Sequence, residues 1–457
     1  MLPSPLARVA EKLDARIGRG AERPSLWPIG FGALISHAAI VAFGVLTVTG
    51  LALALAYRPS TELVTYSGSS ELYDGQLLPH AFASIVRISE DLPGGLLLRR
   101  VHVAASHIFL IALVAHLLRV LATGAFRRPR IGNHLVGVIL LGIALGFAYT
   151  GELMPFSLVA ASSLRILEAV IGSVPFIGEP LAQFITGGEL PSQRLLVGAW
   201  ALHVFLLPGG FTAVLAWHLW LVHRRTPALD RRPDVDVDTR DVGRPLWPDA
   251  VARFALLSAG LITLLLASSV LVPWANIELE GPFFAAEATN SVHPAWVMFF
   301  TTGALRVIPA IDLVFLGVRI TNVLVAAALI PSILVGMVVA YPFLERRLLK
   351  DRSEHHALDH PLDVPLRAGV VTFMTTVGVI LTVAAGVDVL SSWLAVPVER
   401  VVTGFRVALV VLPIALTAGA VAASRRRVAT FADLGEDGDV DREITASGHT
   451  YGEECDS

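Results

Sequence analysis

The sequence predicts an all-α integral membrane protein with eight transmembrane helices, an N-terminal four-helix bundle followed by a C-terminal four-helix part. Three observations carry this. Of the 457 residues, 54% are hydrophobic and only 16% charged, with a mean hydropathy of +0.67, far from the balance of a soluble domain. Eight apolar runs are long enough for a hydrocarbon core, which takes about 20 helical residues to cross. Lipid cannot satisfy backbone polar groups, so such runs become helices.

In chain order the runs are 33–57, 101–125, 134–155, 197–222, 251–273, 316–341, 367–388 and 402–423. An even number places both termini on one side. Lys and Arg concentrate in the segments on the side of the termini, as in Arg127, Arg128 and Arg130, the groups over 224–253 and 346–367, and Arg425, Arg426 and Arg427. That bias predicts a multi-pass protein of the cell membrane with both termini cytoplasmic. The first apolar run is long and no cleavage site follows it, so no cleavable signal peptide is expected.

The net charge of −3 is uninformative, and no nucleic-acid partner is expected. The single cysteine, Cys455, excludes a disulfide framework, a Cys-ligated iron–sulfur cluster and a c-type haem attachment site. The polar acidic end of the chain reads as disordered.

Two of the runs carry paired histidines. His102 and His116 lie 14 residues apart, and His203 and His218 lie 15 apart. Fourteen residues make nearly four helical turns, so His102 and His116 share a face, roughly 21 Å apart. Fifteen residues overshoot by about 60°, a twist that Pro208 and the pair Gly209–Gly210 can absorb through a kink. Two facing helices would then offer two His–His pairs, one near each membrane surface, which suits two stacked bis-imidazole haems. A single intramembrane histidine is more often a packing residue. Two pairs at matching depth favour function, because ionisable groups are costly in lipid.

His107 lies about 140° away from His102 around the helix, so packing or hydrogen bonding is expected of it, and of His37. Arg99 precedes His102 by three residues and Arg119 follows His116 by three. Their guanidinium groups suit haem propionates. Gly137 and Gly151, again 14 apart in the next run, suit close approach of a macrocycle edge, although membrane helices use glycine for ordinary packing too.

With these residues in view, the chain resembles the cytochrome b subunit of quinol–cytochrome c reductases, the cytochrome bc family, from about residue 30 to 425. The resemblance rests on Arg99, His102, His116 and Arg119 in the R-x-x-H-x13-H-x-x-R pattern, on GAFRRPRIGN (124–133), on SVPFIG (173–178) and on GG at 187–188. HPAWVMFFTTGALRVIPA (293–310) is similar to the family's P-E-W-Y segment and L-R-x-I-P tail, and YPFLERR with HHALDHPLDVPLR (341–367) is most similar to actinobacterial forms.

The resemblance implies an outer haem on His102 and His203 and an inner haem on His116 and His218. It implies quinol oxidation near the outer face, quinone reduction near the inner face, and proton translocation. Oxidation would be bifurcated between a Rieske iron–sulfur protein, leading to a c-type cytochrome, and the two b haems. The quinone expected is menaquinone, and the complex a homodimer in membrane lipid. The corresponding organisation is a cytoplasmic amphipathic segment over 1–30, a dihaem four-helix bundle over 31–228, a cytoplasmic linker over 229–248, C-terminal helices with an outer quinol-site loop over 249–425, and an acidic disordered tail over 426–457.

The chain departs from the pattern at the outer site. Pro294 is followed by Ala295, Trp296 and Val297, where the family motif has a glutamate after the proline. A methyl group takes no proton. Either another group substitutes, His293 being the adjacent candidate, or the chain is a paralogous electron conduit without a productive outer site. Ser36, where the family usually has glycine, and the small-residue stretch 161–163 are further departures. On the inner side His223 resembles a quinone-contacting histidine and Asp249 a proton-delivering acid. A solvated loop histidine and a first-turn acid favoured by the helix dipole are the plainer readings. A haem-free transporter with histidines along a polar path is the remaining alternative.

Overall fold

The computed structural model describes residues 26–27, 31–188, 192–224, 244–245, 251–284 and 293–436. Asp249 and most of the linker lie outside the described residues, as do the last 21 positions, 437–457.

Eight helices are long and apolar enough to span a bilayer: α1 (Gly32–Ala56), α2 (Gly95–Ala122), α3 (Ile131–Leu153), α4 (Gln193–Arg224), α5 (Val251–Leu271), α6 (Leu324–Leu348), α7 (Pro365–Ala384) and α8 (Val398–Thr430). Helix α1 packs on α2, α3 on α4 and α7 on α8, and α5 lies against α1 and α2. Many apolar side chains on these helices stay exposed, among them Leu55, Val270 and Leu271. That is the surface expected to face lipid rather than water.

The sixth span begins later than the apolar run suggests. Residues from 316 do not continue into helix, because Leu313–Phe315 pairs antiparallel with Val318–Ile320. Leu316 and Gly317 turn the hairpin with φ of 49° and 78°, the left-handed conformation for which glycine carries no penalty. Arg319 bonds Asp312 across the hairpin base. At the other end, the last helix runs on to Glu436, past the boundary at 425. Ser424 bonds the Leu362 carbonyl at 2.7 Å and Arg427 the Asp363 carboxylate at 2.9 Å, which anchors this extension.

Outside the membrane, at the end of α2 that carries His102, a cap is built from the hairpin Leu63–Thr65/Leu77–Pro79 and the short helix His80–Glu90. Its core joins Tyr66, Phe82 and Ile88 to Phe156, Ile277 and Phe283, residues from distant parts of the chain. This fixes the segments over 154–164 and 277–283 above the helix ends. At the opposite end, Arg367 is 1% exposed and is held by Glu345 at 2.6 Å and Asp359 at 2.8 Å. Asp359 also meets Arg127 at 2.9 Å, so one buried ion network joins the α2–α3 loop to α6 and α7. Unpaired, each charge would be strongly destabilising there.

Candidate functional site

Helices α2 and α4 bring the four histidines together in two pairs. The His102 and His203 ring centroids are 6.3 Å apart, and those of His116 and His218 are 6.5 Å apart. Two imidazoles coordinating one ion from opposite sides, with metal–nitrogen bonds of about 2 Å, place their ring centroids about 6.4 Å apart. Among the described residues no cluster of three or more metal-ligating groups occurs. Each pair would thus supply two imidazole nitrogens to a metal and leave the rest of its coordination to another group, as a haem would provide.

The 15-residue spacing on α4 is absorbed differently from the Pro–Gly kink expected. Residues Leu202–Leu206 form one π-helical turn, which accommodates one extra residue in the helix. Pro208 lies two residues beyond the turn, and its missing N–H favours the break in the ordinary ladder. His203 sits inside this turn and so comes into register with His102.

Hydroxyl groups fix three of the rings. Thr49 Oγ1 lies 2.8 Å from His102 Nδ1, Ser36 Oγ 2.9 Å from His116 Nδ1 and Thr150 Oγ1 3.1 Å from His203 Nδ1. Each hydroxyl donates its own proton to a carbonyl one turn back: Thr49 to Val45, Ser36 to Gly32 and Thr150 to Gly146. Each must then accept from the ring, so Nδ1 carries the hydrogen and Nε2 keeps its lone pair for a metal. The fourth ring, His218, lies beside the backbone of Asn133.

Glycines line the same levels. A Cβ at Gly151 would fall 2.7 Å from His203 Cε1, one at Gly50 3.1 Å from His102 Cε1, and one at Gly137 3.8 Å from His218 Cε1. Gly32 leaves room for the Arg119 guanidinium. Between the two levels, Phe43, Phe109, Phe147 and Phe211 pack ring against ring. Arg99 is buried. Its Nη1 donates to the Ala275 carbonyl at 2.6 Å, while Nη2 is 3.7 Å from Glu280 and makes no hydrogen bond among the described residues. One guanidinium nitrogen thus remains for an anionic group such as a propionate.

These features fit two haems. A family profile described as Cytochrome b(N-terminal)/b6/petB matches residues 107–282. The cytochrome bc1 complex cytochrome b subunit of Streptomyces coelicolor is 32% identical over 419 residues, covering 89% of this chain and 75% of that protein. The chain belongs to the cytochrome b subunits of the cytochrome bc1 complex. The corresponding subunits of Corynebacterium diphtheriae (30% over 417 residues, 89% and 76% covered) and Mycobacterium leprae (31% over 418 residues, 90% and 75% covered) are similar as well. A solved hyperthermophilic respiratory Complex III shares the fold, with a TM-score of 0.67 at 17% identity over 93% of this chain and 98% of its own.

The other residues singled out from sequence are spread over both ends of this cytochrome b. Pro294 and Ala295 are buried, and the Ala295 N–H donates to Ser163 Oγ at 3.0 Å. The stretch 161–163 therefore holds the HPAW turn in place, a role its departure from the family pattern did not reveal. Trp296 stacks on His107 with centroids 4.4 Å apart, and Trp274 covers that ring at 5.0 Å. His107 thus packs between two indoles at the level of the HPAW turn. His37 packs on Phe254 and bonds Ser258. His293 is 44% exposed, and its Nε2 lies 3.0 Å from Asp388, which Arg306 also holds at 2.9 Å. Burial pushes the Asp388 carboxyl up, but the Arg306 hydrogen bond and charge, with His293, bring it below the usual range. His223 is exposed at the end of α4.

Proposed function

We propose that the chain is the dihaem subunit of a quinol–cytochrome c reductase, with the outer b haem on His102 and His203 and the inner one on His116 and His218. The single observation that supports this most is the pair of centroid distances, 6.3 and 6.5 Å, at bis-imidazole spacing. When bound, the haems supply one-electron redox chemistry at two depths. Arg99 and Arg119 hold propionates, and Gly50, Gly151 and Gly137 leave space for the macrocycles. The phenyl cluster between the levels fills the bundle with apolar rings, which disfavours a polar transport path. His203→Ala should remove only the outer haem and His218→Ala only the inner. Loss of neither, with redox titration as the readout, would contradict the assignment.

Hydroquinone is oxidised at the outer face, in a site bounded by Pro294, Trp296 and His293, with an iron–sulfur protein of the Rieske type and a c-type cytochrome as partners. Quinone, menaquinone by family resemblance, is reduced at the inner face near His223 and Asp249. The complex is a homodimer in the cell membrane, both termini cytoplasmic, and couples electron flow to proton translocation.

Ala295 supports a second reading, a paralogous electron conduit with no productive outer site. Ala295→Glu separates the two. A large rise in hydroquinone oxidation favours the conduit reading of the natural chain, and little change favours a substitute base.

A further inference from the structure

The HPAW turn presents a methyl group where the proton acceptor is expected, and His293 already has its Nε2 against Asp388 at an exposed rim. Carboxylates lie on the other side of the turn. On α2, Arg99, Val103 and His107 form one ridge at four-residue steps, and His107 carries Trp274 and Trp296 on its faces. The chain after Trp274 follows that ridge. The Ala275 carbonyl accepts from Arg99, and Glu280 reaches Arg99 at 3.7 Å. From the opposite side, α3 touches the Trp296–Met298 turn, and Ala148 packs on the same cluster as Trp296. Glu152 stands one turn beyond Ala148 on the same face, and interacts electrostatically with both Arg99 and Glu280.

We propose that Glu152, backed by Glu280, is the proton acceptor for hydroquinone oxidised at the outer face. The proposal rests on the outer-site reading above. One hydroquinone O–H bond breaks and its proton goes to a Glu152 carboxylate oxygen, leaving Glu152 neutral. The accompanying electron leaves to a one-electron acceptor of the haem or iron–sulfur class. Glu152 then gives the proton to Glu280 and returns to the anion, and Glu280 releases it towards the outer cap beside Ser157.

A second observation points to a polar ligand here. Glu280 Oε2 and Trp274 Nε1 are buried without a hydrogen-bond partner among the described residues, and buried polar atoms ordinarily have one. Burial raises the Glu280 carboxyl above its usual range, although the Arg99 charge and the Ser157 hydroxyl pull it down. A carboxyl so held can take a proton and release it again. The charged group that acts on both carboxyls is Arg99, which in turn interacts with Arg100 and Glu90.

The test is hydroquinone-driven b-haem reduction in the purified complex, followed between about pH 5 and 9, for the parent, Glu152→Gln, Glu152→Asp, Glu280→Gln and His293→Asn. Dithionite-reduced spectra check haem content. The expected result is a loss of about 100-fold or more in Glu152→Gln, a smaller loss in Glu280→Gln, and partial rescue with a displaced pH profile in Glu152→Asp. A Glu152→Gln complex with the parent's rate and pH profile overturns the proposal, the more so if His293→Asn is slow. A parent that dithionite reduces and hydroquinone does not overturns the outer-site reading itself, and Glu152's role with it.

Discussion

Gly151 and His203 are so close that a Cβ on the glycine would lie 2.7 Å from the imidazole Cε1. The ring and the bare backbone of α3 share one level of the membrane, and the room between helices there has no place for a side chain. Real Cβ atoms do not come this near another atom, so a substitution must move His203. Gly151→Val should therefore cost the outer haem and spare the inner one. Haem content per chain, with the reduced-minus-oxidised spectrum, checks it, and a variant retaining both haems would remove the steric argument.

The hydroxyls that hold the rings predict a milder effect. Thr49→Val and Thr150→Val each delete the acceptor for a ligand's Nδ1–H while keeping shape. Loss of such an outer partner typically weakens metal binding by about 10–100-fold. Haem retention during extended purification should fall, and the outer-haem potential should rise, because a less basic imidazole stabilises the oxidised iron less. Ser36→Ala should act in the same way on the inner haem alone, through His116.

The π turn at Leu202–Leu206 makes a more unusual prediction. It exists to absorb one residue, so deleting Val204 should convert it to ordinary helix with His203 and His218 at the 14-residue spacing of α2. Both haems should survive the deletion. Loss of the outer haem would mean that the turn positions His203 in some further way.

At the opposite end of the helices, the Arg367 network is a stability device. Arg367→Met leaves Glu345 buried with its cation gone and Asp359 with Arg127 alone. The expected destabilisation is about 3–5 kcal/mol, seen as earlier thermal unfolding in detergent, with the haem spectrum unchanged before the transition. Glu345→Gln, which keeps a polar partner for Arg367, should cost less.

Much of this arrangement was legible in the sequence because helical periodicity carries it. The 14-residue interval puts His102 and His116 on one face without any knowledge of neighbours, and Gly137 with Gly151 repeats it. The Ser36 and Thr150 hydroxyls were not legible. A helical serine or threonine bonds its own preceding turn by default, and nothing local says that a ring from another helix shares the oxygen. The position of Thr49 and Thr150 directly before Gly50 and Gly151 is the signal that was there to find. Glu152 and Glu280 come within electrostatic reach of each other only because the cap folds the segment over 277–283 onto the end of α3. The apolar run at 316–323 misled for the opposite reason. Hydropathy registers Leu316, Val318 and Ile320 as membrane-like, and is blind to the turn at Gly317 that folds this stretch back on Leu313–Phe315 as a hairpin.

The measurement that tests the central claim most directly is the haem count per chain on the detergent-purified protein, with a redox titration of the reduced-minus-oxidised absorption band. The account predicts two b-type haems titrating at separate potentials. One haem, or none, would contradict it, because two imidazole pairs at ligand spacing would then be serving some other purpose.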